Sequence, residues 1–311
     1  MEYIQLKGTS LTASRAAFGC MRLAELSVEQ AKRQIEHAME LGINFFDHAD
    51  IYGGGSCEEI FAKAVDMKPS VREKMILQSK CSIRDGYYDA SAAYIRKAVD
   101  DILARLHTDY LDILLLHRPD ALMDPGETAE ALERLHEQGK VRYFGVSNYN
   151  VMQTELLQKY MKQPLVVNQL QISLAHTPLI DEGMAVNMDI DQSVLRTGGL
   201  LPYCQWKEIN VQAWSPYQKG FFGGSFIGDL EEYGELNSLI DSLASKYGVS
   251  KTGIAAAWLF RHPVNMQVIL GTMNEKHRQE GCEGLDVVLE RKEWYDLYRA
   301  AGNIIPYKRV L

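Results

Sequence analysis

Two hydrophobic periods alternate along the chain. Short runs rich in β-branched and aromatic residues predict strands: AAFGCM (16–21), INFFDHA (43–49), MILQSKC (75–81), YLDILLLH (110–117), VRYFGVS (141–147), LVVNQLQIS (165–173), NVQAWS (210–215) and QVILGT (267–272). Between most of them lie apolar stripes at helical spacing, such as Ile95, Val99, Ile102 and Leu106, or Leu236, Leu239, Ile240 and Leu243. Their ends carry start and stop signals. Ser27 to Gln30 reads as a capping box and Gly42 as the stop of the same helix; Asp124-Pro125 opens another, closed by Gly139. Gly248 ends the Leu236 stripe, and Ser250 starts a helix that runs to His262-Pro263. Ser56-Cys57-Glu58-Glu59 reads as a further capping box.

The strand runs are nearly continuous in hydrophobicity, as expected when both faces of a sheet are covered. Eight βα units predict an α/β fold of the (β/α)8 TIM-barrel type, which takes roughly 250 residues. The stretch YIQLKGTSLTASR before it predicts an N-terminal β-hairpin, a lid on the barrel bottom. Two long segments, 174–209 and 216–234, break the rhythm and are expected as loops at the C-terminal mouth. With no linker or low-complexity tract, residues 1–311 read as a single domain.

Charge and cysteine usage narrow the function. A net charge of −8 argues against nucleic acid as the main partner. Five cysteines, Cys20, Cys57, Cys81, Cys204 and Cys282, with no C-x-x-C, argue against a disulfide framework or a thiolate zinc site and fit a reducing, cytoplasmic setting. The run LDILLL is too short to cross a bilayer, and the start of the chain, with Glu2 and Lys7, does not read as a signal peptide.

In a barrel the chemistry sits at the C-terminal ends of the strands. Those ends carry Asp47 with Tyr52 just beyond it, Lys80, His117, Ser147-Asn148, Gln169, Trp214-Ser215 and Gly271-Thr272. Each of the ionisable four, alone, is more often structural than catalytic; four at successive strand ends are harder to dismiss. A buried Lys80 is expected to pair with Asp47. Tyr52 beside that lysine is expected to have its pKa lowered from about 10, toward service as a general acid. Two other readings are weaker. Gly53-Gly54-Gly55 follows a strand, but the third glycine of a dinucleotide fingerprint would fall on Glu58. Asp47, His48, Asp50 and His117 have ligand chemistry but no metal-binding spacing, and His48, adjacent to Asp47 on a strand, should face the helices, so no metal is expected.

The motifs DHADIYG (47–53), SK (79–80), LHRPD (116–120), GKVRYFGVSN (139–148) and NQLQIS (168–173) resemble the aldo-keto reductase family, over nearly the whole chain to about residue 290. The resemblance implies an NAD(P)H-dependent oxidoreductase that reduces aldehyde or ketone carbonyls, with the tetrad Asp47, Tyr52, Lys80 and His117. It implies that Ser147, Asn148 and Gln169 hold the nicotinamide carboxamide, and that Trp214, where many relatives have Tyr, stacks on the ring. Met21, Ser215, Pro216 and Gly220 would also contact cofactor, and Gly271, Thr272 and Asn274 would reach its adenosine phosphates. The slot where relatives place an arginine for the 2′-phosphate of NADPH falls on His277, so Lys276, Arg278 or both would have to substitute, with NADH as the other cofactor option. An adenine contact is lost at Gly281. Arg22, Tyr87 and Tyr149 are expected near a small-molecule carbonyl substrate. The family also includes potassium-channel β subunits that keep the tetrad and bind cofactor, so a regulatory or partner subunit with little turnover is the alternative function.

Overall fold

A computed structural model describes residues 1–221 and 223–306. Phe222, in the second long loop, and the tail 307–311 of the expected domain lie outside the described residues. The chain opens with an antiparallel hairpin, β1 (Tyr3–Gln5) and β2 (Thr12–Ser14). Eight parallel strands then close into a barrel: β3 (Ala16–Gly19), β4 (Phe45–Asp47), β5 (Ile76–Cys81), β6 (Leu111–Leu116), β7 (Val141–Ser147), β8 (Leu165–Gln171), β9 (Asn210–Trp214) and β10 (Gln267–Leu270). Each falls inside one of the predicted runs. β10 pairs with both β9 and β3, so the barrel has no free edge.

Alternation along the strands sorts side chains into two environments. Phe45, Ile76, Ile113, Leu115, Val167 and Ile269 point inward and meet Leu6, Leu11 and Ala13 of the hairpin. The hairpin thus plugs the barrel at the N-terminal ends of the strands. Asn210 accepts a hydrogen bond from Lys7 N at 3.1 Å, and the Tyr143 hydroxyl one from Ser10 N at 3.0 Å. The outward residues Phe46, Leu77, Leu114 and Phe144 pack under the helices.

The expected helix starts are present at three places. Ser27 and Gln30 form a reciprocal capping box, Asp124 accepts from Gly126 N and Glu127 N, and Ser250 accepts from Gly253 N. The box expected at Ser56 is not formed. The helix Ser56–Val65 springs directly from Gly55, at φ 96°, and Ser56 instead donates to Gly53 O at 2.7 Å. Glu58, fully buried, accepts from Ser79 Oγ and Arg105 Nε, each at 2.7 Å. The glutamate such a box would use, three residues after Ser56, is Glu59, which lies 3.6 Å from Lys63 instead. The segment 174–209 is also less irregular than expected, holding the short helices Pro178–Met184 and Leu200–Trp206. No helix among the described residues is long and apolar enough to cross a membrane.

His48 faces outward as expected, its ring edge-on to Phe61 with centroids 4.6 Å apart. Both ring nitrogens are buried with no hydrogen-bond partner among the described residues. Burial, helped by the nearby Lys80 charge, pushes its pKa down to about 3. An unfolded histidine takes up a proton near pH 6.5, whereas native His48 does not until about pH 3. The unfolded state therefore binds more protons as pH falls below 6.5, and stability drops. His48 is predicted to cost up to about 1.4 kcal/mol per pH unit below 6.5, and His48→Leu to flatten that part of the loss in urea melts at pH 5 to 7. Parallel curves for the two proteins would contradict a neutral buried imidazole.

Candidate active site

The ends of β4, β5 and β6 carry Asp47, Lys80 and His117 into one space. Backbone bonds beyond the ladder fix these ends: His48 N to Gln78 O at 2.8 Å, Asp50 N to Lys80 O at 2.9 Å and His117 N to Cys81 O at 2.8 Å. Tyr52 follows in the turn after β4, where Gly53, Gly54 and Gly55 all take positive φ. At Gly53 an added Cβ would lie 2.8 Å from the Ala24 side chain and 2.5 Å from Ser56 Oγ, so only glycine fits this reversal.

Lys80 is fully buried. Its Nζ donates to Asp47 Oδ2 at 2.8 Å, to His48 O at 2.8 Å and to the Tyr52 hydroxyl at 3.1 Å. All three ammonium protons are thus accepted. Burial opposes the charge, but Asp47 and Tyr52 more than offset it and raise the lysine pKa. The Tyr52 phenol goes up, against the sequence expectation. Burial is the larger effect, and the Lys80 charge only works against it. Tyr52 is therefore a protonated phenol touching an ammonium. The His117 ring stands edge-on to Tyr52, centroids 6.0 Å apart. Burial first, then the Lys80 and Arg118 charges, drive its pKa well below the ordinary histidine range, so it is neutral.

Beneath this cluster the barrel interior is polar. Gln267 Nε2 donates to Ser14 O at 2.7 Å, and Gln212 Nε2 donates to Gln267 Oε1 at 2.8 Å. Gln78 Nε2 donates to Gln212 Oε1 at 2.8 Å and to Asp47 Oδ1 at 2.6 Å. Gln169 Nε2 donates to Asp47 Oδ1 and Gln212 Oε1, both at 3.0 Å. A chain of buried amides thus runs from the hairpin end of the barrel to Asp47 and fixes its carboxylate from below.

Above the cluster opens a cavity of about 1720 Å³. Among the expected residues, Met21, Arg22, Asp47, Tyr52, His117, Ser147, Asn148, Tyr149, Gln169, Trp214, Ser215, Pro216, Gly271, Thr272 and His277 line it. Ser147 Oγ donates to Gln169 O at 2.9 Å, Asn148 Nδ2 to Ser147 Oγ at 2.8 Å, and Trp214 Nε1 to Asn148 Oδ1 at 3.2 Å. Asn148 takes φ 59° to do so.

Several expected residues are not brought to the cavity. Tyr87 is 58% exposed and points to solvent; its neighbour Tyr88 lines the wall instead. Tyr149 is on the wall, but its hydroxyl turns to Arg118 O at 3.5 Å and away from the open space. Gly220 lies off the lining, at φ 108°, and Asn274 caps the helix Glu275–Glu283 by accepting from His277 N. Lys276 is exposed, 3.9 Å from Glu280. Arg278 is fully buried beneath the sheet–helix layer. It reaches His37 Nδ1 at 2.9 Å, Gln34 Oε1 at 2.5 Å and Thr272 O at 3.2 Å, and lies over the Phe18 ring. Helix periodicity turns it inward, so it does not stand in for an arginine at the cavity. Sequence reasoning missed Gln78 and Gln212, although each is a polar residue at an inward position of an apolar strand. It also missed Gln171 and Tyr217 on the cavity wall, for which there was no sequence signal.

The sequence model of the Aldo/keto reductase family matches residues 15–301. The chain belongs to this family. It is an oxidoreductase by that membership. An uncharacterized oxidoreductase, YcsN, of Bacillus subtilis is 34% identical over 98% of this chain and 100% of its own length. A 6-dehydroglucose reductase of Agrobacterium fabrum is 34% identical over 94% of this chain and 95% of its own. An aldo/keto reductase of Klebsiella pneumoniae, solved in complex with NADP and acetate, superposes with a TM-score of 0.75 at 25% identity, covering 97% of this chain and 96% of that one.

The buried pair makes a stability prediction. Asp47→Asn leaves the Lys80 ammonium without its counter-charge and is expected to cost about 3–5 kcal/mol in chemical denaturation. Adding Lys80→Met is expected to restore at least half of the loss. A single variant as stable as the parent would show that the pair carries no such constraint.

Proposed function

We propose that the chain is an NADPH-dependent carbonyl reductase in which Tyr52 is the proton donor. The observation that carries this reading is the 3.1 Å bond from Lys80 Nζ to the Tyr52 hydroxyl, at the floor of a cavity also lined by a neutral His117. The family membership and the NADP complex of the Klebsiella relative support it.

The cavity residues fit a dinucleotide. Gln171 Nε2 and the Tyr217 hydroxyl are buried donors on its wall with no partner among the described residues. A Cβ added at Gly271 would meet nothing in the protein, so the open space beside that backbone suits a ligand. Gln169 Oε1 accepts no bond among the described residues and is free for a carboxamide N–H. Ser147 and Asn148 stand beside it, and Trp214 offers a ring face. Ser215 and Pro216 would follow the pyrophosphate, and Gly271, Thr272 and Met21 the rest of the cofactor. A reduced nicotinamide supplies a hydride when bound.

The chain's own residues supply the rest. Neutral His117 donates an N–H to the carbonyl oxygen and so orients it. Tyr52 transfers its phenolic proton to that oxygen as negative charge develops, a contribution of about 10²–10⁴-fold for a positioned general acid. Lys80 stabilises the tyrosinate left behind, and Asp47 keeps Lys80 charged and aimed. The substrate is a small aldehyde or ketone; the name of the Agrobacterium relative suggests a polar, sugar-like one. The five free cysteines support a cytoplasmic setting.

NADH is the second reading, favoured by one observation. Arg278 is buried, Lys276 points outward, and only His277 of the three borders the cavity.

Tyr52→Phe is expected to lower carbonyl turnover at least 100-fold, a loss on the scale of a general acid, with cofactor affinity within about twofold in a tryptophan-emission titration. Full turnover in that variant would remove Tyr52 from the role. His277→Arg is expected to tighten NADPH relative to NADH by about tenfold, one charge-assisted contact. An unchanged ratio of the two affinities would place the 2′-phosphate elsewhere.

A further inference from the structure

The cavity is basic in a chain of net charge −8. Arg22, Arg118 and Arg196 line it, and among the described residues its only acidic lining residue is Asp47, which is matched by Lys80. Two of the three guanidiniums are already engaged. Arg22 Nη1 donates to Gly271 O at 3.0 Å, and Arg196 Nη2 donates to both carboxylate oxygens of Asp191 at 3.0 Å. The Arg118 guanidinium has no hydrogen-bond acceptor and no ion-pair partner among the described residues.

Its position is nevertheless fixed. Arg118 follows His117 at the end of β6. Its N–H donates to Ser82 Oγ at 3.2 Å, and its carbonyl accepts from Ser82 Oγ at 3.2 Å. The guanidinium carbon lies 5.9 Å from the centroid of the Trp214 ring and 5.7 Å from that of Phe221. The two rings stand at 82° to each other and border the guanidinium without taking any of its N–H groups. A guanidinium edge matches a carboxylate in a planar, two-bond fork. Apart from Met21 after β3, the residues read as cofactor contacts lie on β7 to β10 and the segments after them, while Arg118 stands beside the proton-donor cluster.

We infer that Arg118 is the specificity-determining residue for the substrate, and that it selects an aldehyde carrying a carboxylate at the end remote from the carbonyl. The inference rests on the carbonyl-reductase reading above and names the substrate class of the same site. Arg118 grips the carboxylate through its free edge, and Trp214 and Phe221 flank the intervening carbons. The proton-donor cluster then receives the carbonyl.

The test compares 4-carboxybenzaldehyde with 4-(hydroxymethyl)benzaldehyde in the full chain and in Arg118→Met and Arg118→Lys. The parent is expected to favour the carboxylate by at least about tenfold in kcat/KM, the factor for one such contact. Arg118→Met should bring the ratio near one, mainly through KM, and Arg118→Lys should recover part of it. A ratio that Arg118→Met leaves unchanged overturns the inference, as does a preference for the hydroxymethyl compound. Tryptophan-emission titrations with benzoate and with benzyl alcohol give a readout without turnover. If neither aldehyde is reduced, the carbonyl-reductase reading fails by itself. The titrations then still decide Arg118: benzoate binding weakened about tenfold by Arg118→Met supports the anion subsite, and unchanged benzoate binding refutes it. Weakened NADPH binding with unchanged benzoate binding assigns Arg118 to the cofactor and also refutes it.

Discussion

The site depends on an ion pair that water does not reach. Lys80 is completely buried, and an isolated ammonium there would shed its proton or unfold its surroundings. Asp47 at 2.8 Å, the His48 carbonyl at 2.8 Å and the Tyr52 hydroxyl at 3.1 Å take its three N–H bonds, so the charge is tolerable only where these acceptors converge. The charge then dictates chemistry on every side. Burial keeps both His117 neutral and the resting Tyr52 phenol protonated; the charge adds to the first effect and, in the proposed reaction, would stabilise Tyr52 as an anion. The same low-polarity surroundings that make the pair costly make it effective.

The barrel supplies the convergence. Parallel strands in register bring the ends of β4, β5 and β6 side by side, and the inward positions stack into layers. In this chain the layer under Asp47 is made of glutamines. Gln78, Gln212 and Gln267 join one another and Asp47, and the last of them reaches the hairpin carbonyl of Ser14. A carboxylate held by two amides and an ammonium has little freedom to turn, and Lys80 inherits that order. Each amide in the layer has a partner, as a buried polar network requires.

Much of this was legible in the residue pattern. Near-continuous apolar runs gave all eight barrel strands, because buried parallel strands need no polar face. The capping residues Ser27, Asp124 and Ser250 marked true helix starts, because their side chains satisfy backbone donors locally. Ser56 did not, because Gly55 at φ 96° takes the N-cap position and leaves Ser56 as the first helical residue, a turn that the Ser-x-x-Glu pattern does not reveal. Long range defeats the reading of Arg278. Its charge suggested a phosphate contact, but its helix phase turns it under Thr272 toward Gln34 and His37. The direction of the Tyr52 shift was misjudged for a related reason: a charged neighbour is visible in sequence, whereas the degree of burial is not. The glutamine layer lay in plain view at inward strand positions and becomes meaningful only when the strands are placed beside one another.

The account requires that Lys80 remain an ammonium inside the protein and touch Tyr52. Nitrogen NMR of the lysine side chains tests this most directly. The account predicts one slowly exchanging ammonium signal, still charged at pH 10, that moves when Tyr52 is replaced by Phe. A neutral amine at Lys80 near pH 7, or a signal indifferent to Tyr52, would contradict it.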